Sequence, residues 1–396
     1  MHNLVMAENY KKKVYVAMSG GVDSSVAAFL LKHAGYNVHG VYMKEWVPPG
    51  IKCEAGSDRI MAARVAAHLD ISFEVWDFRK EYKKQVADYM LREYKAGRTP
   101  NPDVMCNKHI KFGVFLEKAL LRGADYIATG HYVIKHEACS MKHRKNVSSF
   151  MFQVSRDNNK DQSYFLWTLT QKELAHCLFP IGDYTKSEVR AIAKKAGLPS
   201  WDKKDSQGVC FVGKLDFADF LRKYLPQKKG KIVTAKGEVI GEHDGVWFYT
   251  LGQRHGLTRI MNHKSRVMNK KGNAQPYYVV DKDVKKNVLI VAEEAAPELY
   301  KKELAATNIN WISGNPSVGG AKFPLKCKAR IRYRQSLQEC KIESESLNLE
   351  LGKKHTRKIL NSKFHILFKK PQRAITPGQS IVFYKGKEMV GGGIIQ

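Results

Sequence analysis

The chain has no apolar run near the ~20 residues that cross a bilayer. Its opening stretch, MHNLVMAENYKKK, has no apolar segment that would serve export. Membrane insertion and export are therefore not expected, and a cytoplasmic location is. The seven cysteines, at 53, 106, 139, 177, 210, 327 and 340, include no CxxC pair. That argues against a zinc ribbon, and an odd count in a long chain argues against a disulfide scaffold. No resident metal ligand set is expected. Acid is scarce: 38 Asp and Glu stand against 67 Lys and Arg, a net charge of +29. Such a surface suits polyanions, because Lys and Arg release counterions from a phosphate backbone. The plainer alternative is a solvated basic surface. Neither the GKS or GKT ending of a Walker A loop nor GxGxxG accompanies the first glycine-rich loop.

What is present is a core-forming composition, 43% apolar and 10% aromatic over 396 residues, enough for two or three domains. Residues 14–133 alternate short β-rich runs (VYVAM, NVHGVYM, SFEVWDF, YIATG) with helical spacing, as in KEYKKQVADYMLREYKAG closed by Gly97. That alternation predicts a parallel sheet covered on both faces, with ligands at the carboxyl ends of its strands. Residues 135–149 are polar and read as a surface loop. Helices are expected in QSYFLWTLTQKELAHCL, KSEVRAIAKKAG and LDFADFLRKYL. After about residue 226 hairpin patterns take over, and short alternating stretches from 321 onward predict a small β-barrel or sandwich. The expected fold is α/β, in three parts: a catalytic domain over 1–222, a small β-rich domain over 223–298 and a β-barrel domain over 299–396.

The informative loop is VYVAMSGGVDSSVAAFLLKHAG, residues 14–35. A strand runs into Ser19-Gly20-Gly21-Val22-Asp23-Ser24-Ser25 and then a helix. Glycines let backbone approach a phosphate, and the first N–H groups of a helix lack intrahelical partners and carry partial positive charge. The alternative is a plain turn with Asp23 or Ser24 as helix cap. The string resembles the SGGxDS loop of the N-type ATP pyrophosphatases, which implies adenylyl transfer with release of pyrophosphate. Asp23 would then help hold Mg²⁺.

Two thiols narrow the reading. In GRTPNPDVMCNKHIKFG, Asp103 and Cys106 lie three residues apart at the mouth of a helix, with Lys108 and Lys111 close behind. A helix N-terminus favours a thiolate, and Asp103 is placed to move a proton. In KKDSQGVCFVGKLDFADFL, Cys210 follows a glycine in a polar loop beside Lys203 and Lys204. Cys53 also sits in a loop, whereas Cys139, Cys177, Cys327 and Cys340 read as core.

The strings SGGVDSS, NPDVMCN, ATGHY, KDQSYFL, FPIG, SQGVCF, LGQRHGL, RIRYRQ and ITPGQSIVFY are similar, in order, to the tRNA-specific 2-thiouridylases, across nearly the whole chain. The resemblance implies an ATP site formed by Ala17, Met18, Ser19, Gly20, Gly21, Val22, Asp23 and Ser24, with Met43 and Gly130 on the adenine side. It implies a persulfide on Cys210, Cys106 as the nucleophile that completes transfer, and Asp103 as acid/base partner. Asn101, Pro102 and Asp103 would meet the target base. His131, Lys160, Asp161, Gln162, Arg332, Tyr333 and Gln379 would contact tRNA. The implied reaction adenylates C2–O of the wobble uridine at position 34 in the anticodon arm, then installs sulfur. ATP and Mg²⁺ are required, a cysteine desulfurase or sulfur carrier supplies the persulfide, and the enzyme acts as a monomer. Transfer would end in free sulfide or in a Cys106–Cys210 disulfide. Other adenylating enzymes, such as a 4-thiouridylase, a lysidine synthetase or a nucleotide synthetase, remain alternatives, as does a non-catalytic RNA-binding protein.

Overall fold

The computed structural model describes residues 12–49, 55–139, 148–204, 217–254, 256–257, 276–313, 323–344 and 363–396. The chain opens with β1 (Lys13–Ala17), α1 (Val22–His33), β2 (Asn37–Lys44), α2 (Ala55–His68) and β3 (Ser72–Asp77). A helix α3 follows in three segments, Arg79–Tyr82, a π-helical Lys83–Ala87 and Asp88–Lys95. It stops at Gly97, whose φ of +77° ends the helix as expected, with its N–H on the Tyr94 carbonyl. Helix α4 begins at Pro102–Cys106, widens into a π-helical Asn107–Val114 and resumes as Phe115–Leu121. Next come β4 (Tyr126–Ala128), β5 (Val133–Cys139), β6 (Ser148–Val154), α5 (Gln171–Leu174), β7 (Cys177–Leu178), α6 (Lys186–Lys195) and α7 (Phe217–Tyr224).

Strands β3-β2-β1-β4-β7 form one sheet, parallel at every pairing. β1 is central and its last four residues are buried, which is why VYVA reads as continuous apolar rather than alternating. The chain steps outward from β1 to β2 on one side and reaches β4 on the other. The carboxyl ends of β1 and β4 therefore flank the topological switch point, where this kind of sheet binds ligands.

Two segments depart from expectation. Of the expected loop 135–149, residues 135–139 and 148–149 lie in the antiparallel strands β5 and β6 and the rest lie outside the described residues; β6 pairs in turn with β17 (Glu388–Ile395) of the C-terminal barrel. QSYFLWTLTQKELAHCL is not one helix. Ser163–Phe165 makes a single 3₁₀ turn, and α5 restarts behind the Thr170–Glu173 capping box. Helix is interrupted because the side chains here hold other elements: Tyr164 donates to the Ser380 carbonyl (2.8 Å) and Trp167 to Ser380 Oγ (3.0 Å).

The central part is a four-stranded sheet. It contains the expected hairpin β8 (Gly230–Thr234)–β9 (Val239–His243) and the pair β10 (Tyr277–Asp283)–β11 (Val288–Glu293). The C-terminal part holds β12 (Tyr300–Trp311), β13 (Leu325–Arg330), β14 (Gln338–Ser344), β15 (Phe364–Arg373) and β16 (Ser380–Lys385), with β17. Pairing of β12 with β17 closes these six antiparallel strands into a barrel around Ala329, Ile342, Ile366 and Phe383.

Candidate functional site

The loop after β1 is shaped by two close approaches. Gly20 has φ +76°, and a Cβ there would lie 2.2 Å from the Asp58 carbonyl oxygen at the start of α2. Gly130, just past β4, passes over the start of α1 so closely that a Cβ would meet Ser24 N at 2.7 Å. The N-cap of α1 is Gly21, and no side chain caps the helix. The cap roles open to Asp23 and Ser24 are thus not taken. Ser24 Oγ accepts from Ser19 N (3.1 Å) and donates to the Gly21 carbonyl (3.1 Å), which folds the loop on itself. What results is a helix N-terminus with its N–H groups uncapped by side chains beside a glycine strip, an arrangement that binds phosphate.

Two lysines add charge there. Lys186, at the first turn of α6, donates to both carboxylate oxygens of Asp23 at 2.7 and 2.9 Å, and Tyr132 Oη donates to Asp23 Oδ1 at 2.7 Å. Lys203 Nζ donates to the Gly20 carbonyl (3.2 Å) and pairs with Asp58. Sequence reasoning missed Lys186 and Tyr132. The capping box Thr185-x-x-Glu188 signalled a helix start but not that its first residue would reach across to α1. Asp23 is therefore a single carboxylate already holding a lysine. Among the described residues no three His, Cys, Asp or Glu side chains group as a metal site. One carboxylate still fits Mg²⁺ that is held chiefly by nucleotide phosphates and water.

Met43, near the carboxyl end of β2, packs on the main core cluster as a partly buried side chain. The third contributor is α4. Asn101 caps it by accepting from Val104 N (3.3 Å), and Pro102 takes the first helical position, where no N–H is needed. Cys106 is the fifth helical residue and only 3% exposed. It lies just beyond the first turn, so the helix N-terminus acts on it less than the sequence suggested, because that influence fades within one turn. The π-helical stretch then sets Lys111 five positions on, near two loops and the first turn of its own helix. Lys111 acts on Glu45 after β2, on Asp103 and on His131 after β4. Burial pushes Glu45 up to about 7, with Lys111 opposing and Asp103 adding. Burial also raises Asp103, against Lys111. His131 is driven well below the usual imidazole range by burial and by Lys111. Its Nδ1 pairs with Thr129 Oγ1 (2.8 Å), and its ring lies against Phe112 and Phe179.

The expected RNA contacts gather round the same loop, mostly as internal joints. Asp161 is buried, accepting from Ser155 N, Ser163 N and Ser163 Oγ, with Arg330 at 3.5 Å. Gln162 Oε1 accepts from Tyr132 N (3.0 Å), and Lys160 is partly exposed. Gln379 donates to the carbonyls of Thr99 and Pro100, both at 3.0 Å, tying the barrel to the loop before α4. Arg332 donates to the Ala374 carbonyl (2.7 Å). Tyr333 packs on Phe165 (4.6 Å between centroids), with the Arg334 guanidinium also over its ring (5.2 Å). Tyr164, whose hydroxyl donates to Ser380, lies 6.3 Å from Tyr333. Cys210, Cys53 and the basic stretch 258–273 lie outside the described residues, as does most of 353–370.

Family models match three consecutive segments. They are described as a tRNA methyl transferase HUP domain (12–214), a tRNA methyl transferase PRC-barrel domain (218–293) and an aminomethyltransferase beta-barrel domain (301–395). The chain is 45% identical over 394 residues to the tRNA-specific 2-thiouridylase MnmA of Idiomarina loihiensis, covering 98% of this chain and 97% of that one. It is 44% identical to the tRNA-specific 2-thiouridylases MnmA of Streptococcus thermophilus (98% and 96% covered) and Vibrio cholerae (100% and 99%).

Proposed function

The chain belongs to the tRNA-specific 2-thiouridylase family, and from that premise we propose that it replaces the C2 oxygen of the wobble uridine in tRNA by sulfur. The observation that carries this reading is the convergence of two units at the carboxyl ends of β1, β2 and β4. One is an uncapped helix N-terminus flanked by Lys186 and Lys203. The other is the Asp103–Cys106 helix with Lys111.

ATP would supply the adenylyl group that turns C2–O into a leaving group. The backbone of Ser19 to Ser24 would bind its phosphates, and Mg²⁺ would draw on Asp23. Lys186, oriented by Asp23, would neutralise charge on the departing pyrophosphate. Met43 and Gly130 would flank the adenine. Asn101 and Pro102 would seat the splayed uridine, a single-stranded base that can leave its stack. Asp103, its pKa raised by burial, would move the proton. The terminal sulfur of a Cys210 persulfide would attack C2 and displace AMP. The Cys106 thiolate would then attack the inner Cys210 sulfur, breaking the persulfide bond, leaving 2-thiouridine and closing a Cys106–Cys210 disulfide that a later reductant reopens. Lys203, bonded to Gly20, brings the chain to the phosphate loop only seven positions before Cys210. His131, Lys160, Asp161, Gln162, Arg332, Tyr333 and Gln379 would form or support the tRNA-binding face. We place the enzyme in the cytoplasm as a monomer charged by a cysteine desulfurase or sulfur carrier.

The test is incubation with tRNA, ATP, Mg²⁺, cysteine and a desulfurase, followed by nucleoside analysis for 2-thiouridine. Cys210→Ser should abolish thiolation while tRNA-dependent AMP release persists. Thiolation by that variant at near-normal rate would remove Cys210 from the mechanism, and AMP release without any thiolated base in the wild type would point to another acceptor.

A further inference from the structure

Cys327 and Cys340 play no part in the mechanism above, and by context they are ordinary core thiols. Their placement is not ordinary. They are directly opposed residues of the antiparallel pair β13–β14, with Sγ atoms 3.6 Å apart. Opposed residues in such a ladder have Cα atoms about 4.5–5.5 Å apart, inside the span a disulfide bridges. Both face the barrel interior, packed with Ala329, Ile331 and Ile342. Cys340 is buried, whereas Cys327 is partly exposed. Between them runs the turn Ile331–Leu337, which carries Arg332, Tyr333 and Arg334. The dithiol thus sits at the base of the hairpin that presents this cationic and aromatic tip.

The outer face of the same ladder gives the pair a purpose. Lys326 opposes Lys341, and like charges directly across a ladder push the strands apart. Lys328 opposes Glu339 one step nearer the tip.

We propose that Cys327 and Cys340 form an oxidation-sensitive clasp, a vicinal dithiol that a low-molecular-weight anionic disulfide of the glutathione type closes into a cross-strand disulfide. The Cys327 sulfur, on losing its proton to solvent, attacks the small disulfide and expels one small thiol. Cys340 loses its proton and attacks the Cys327 sulfur, expelling the second. Two protein thiols are oxidised and one small disulfide is reduced to two thiols. The hydrogen bond to Cys340 and burial raise the Cys327 pKa, so Cys327 rests as a thiol. Closure links positions 13 residues apart and stiffens the base of the hairpin against the lysine repulsion.

The experiment exposes the full-length protein to a graded glutathione disulfide/glutathione series and maps peptides without reduction. A 327–340 crosslink, lighter by two hydrogens than the dithiol, is expected to accumulate as the ratio rises and to vanish on return to glutathione. The melting temperature should rise by several degrees on closure. Cys327→Ser should abolish both crosslink and shift while its reduced-state melting temperature stays near wild type. If Cys327→Ser itself melts early, Cys340→Ala serves the same comparison. Single glutathione adducts at Cys327, or thiols still reduced at the oxidising end, would overturn the proposal, as would a crosslink that leaves the melting temperature unchanged. A change in tRNA affinity between oxidised and reduced wild type, absent in Cys327→Ser, is also expected. That arm alone rests on the functional reading, so the crosslink and melting data stand whether or not tRNA is the ligand.

Discussion

The phosphate loop and the barrel junction use polar residues in opposite ways. After β1, the first turn of α1 carries no side-chain cap, glycines keep side chains away, and two lysines converge. At the junction between the loop after β6 and the barrel, the polar groups of Asp161, Ser163, Tyr164, Trp167 and Gln379 have partners inside the protein. A site built for a ligand leaves hydrogen-bonding capacity unused, whereas a joint consumes it. That difference separates residues whose loss should remove chemistry from residues whose loss should loosen the frame around it.

The largest expected effect is at Asp23. Asp23→Ala should lower tRNA-dependent AMP release by about 100-fold or more, since it unmoors Lys186 and removes the one carboxylate at the loop. Lys186 is mostly buried, so melting should also register the loss of its partner, at roughly 2 kcal/mol. Release of AMP at wild-type rate would erase the contrast on the loop's side. Next is Asp161→Ala, which strips partners from Ser155, Ser163 and Arg330. It should cost about 2–4 kcal/mol of stability in denaturant titration, with residual activity tracking the folded fraction. Unchanged stability with weakened tRNA binding would make Asp161 a direct contact and break the comparison from the other side.

Gln379→Ala should have a smaller, more selective effect. It removes two bonds to the loop before α4, at about 1–2 kcal/mol, and should reduce thiolation several-fold while ATP affinity stays near wild type. Equal losses in both assays would mean that the barrel also supports the phosphate loop. The smallest effect concerns pH. His131 is held neutral in the folded protein, while an unfolded imidazole takes up a proton near pH 6.5. The unfolded chain then binds more protons as pH falls, so this contribution to stability is complete above about 6.5 and is lost below it. Thermal melts from pH 7.5 to 5 should show a decline that His131→Gln makes shallower. His39, His109 and His243 are also lowered by burial and will keep part of the slope.

Much of the first region was legible because its signals are local. Strand, glycine pair and helix are contiguous, so the fold of the loop and its ligand class follow from neighbours in sequence. The partner of Asp23 was not legible, because Lys186 lies 163 positions away and nothing near it marks the contact. Likewise Asp161 and Gln379 stand in polar strings that look the same whether they face RNA or another strand. The hairpin β5–β6 was missed for a related reason. KHEAC carries little apolar alternation, and its partner strand β6 is itself held by β17, more than 200 residues downstream. The interrupted helix at 163–178 shows tertiary bonds from Tyr164 and Trp167 overriding a helical pattern.

That hairpin has a mechanical consequence. β6 shares a ladder with β17, Glu388 opposite Gln153 and Met389 opposite Phe152, and the Val154 amide bonds to the Lys387 carbonyl (2.9 Å). The β5–β6 pair that follows β4 is thereby built into the barrel's own sheet, apart from the parallel sheet that carries the phosphate loop. The register between β6 and β17 can therefore shift only in ladder steps, of about 7 Å for a two-residue slip, so the barrel holds the segment that follows β4 at a set register.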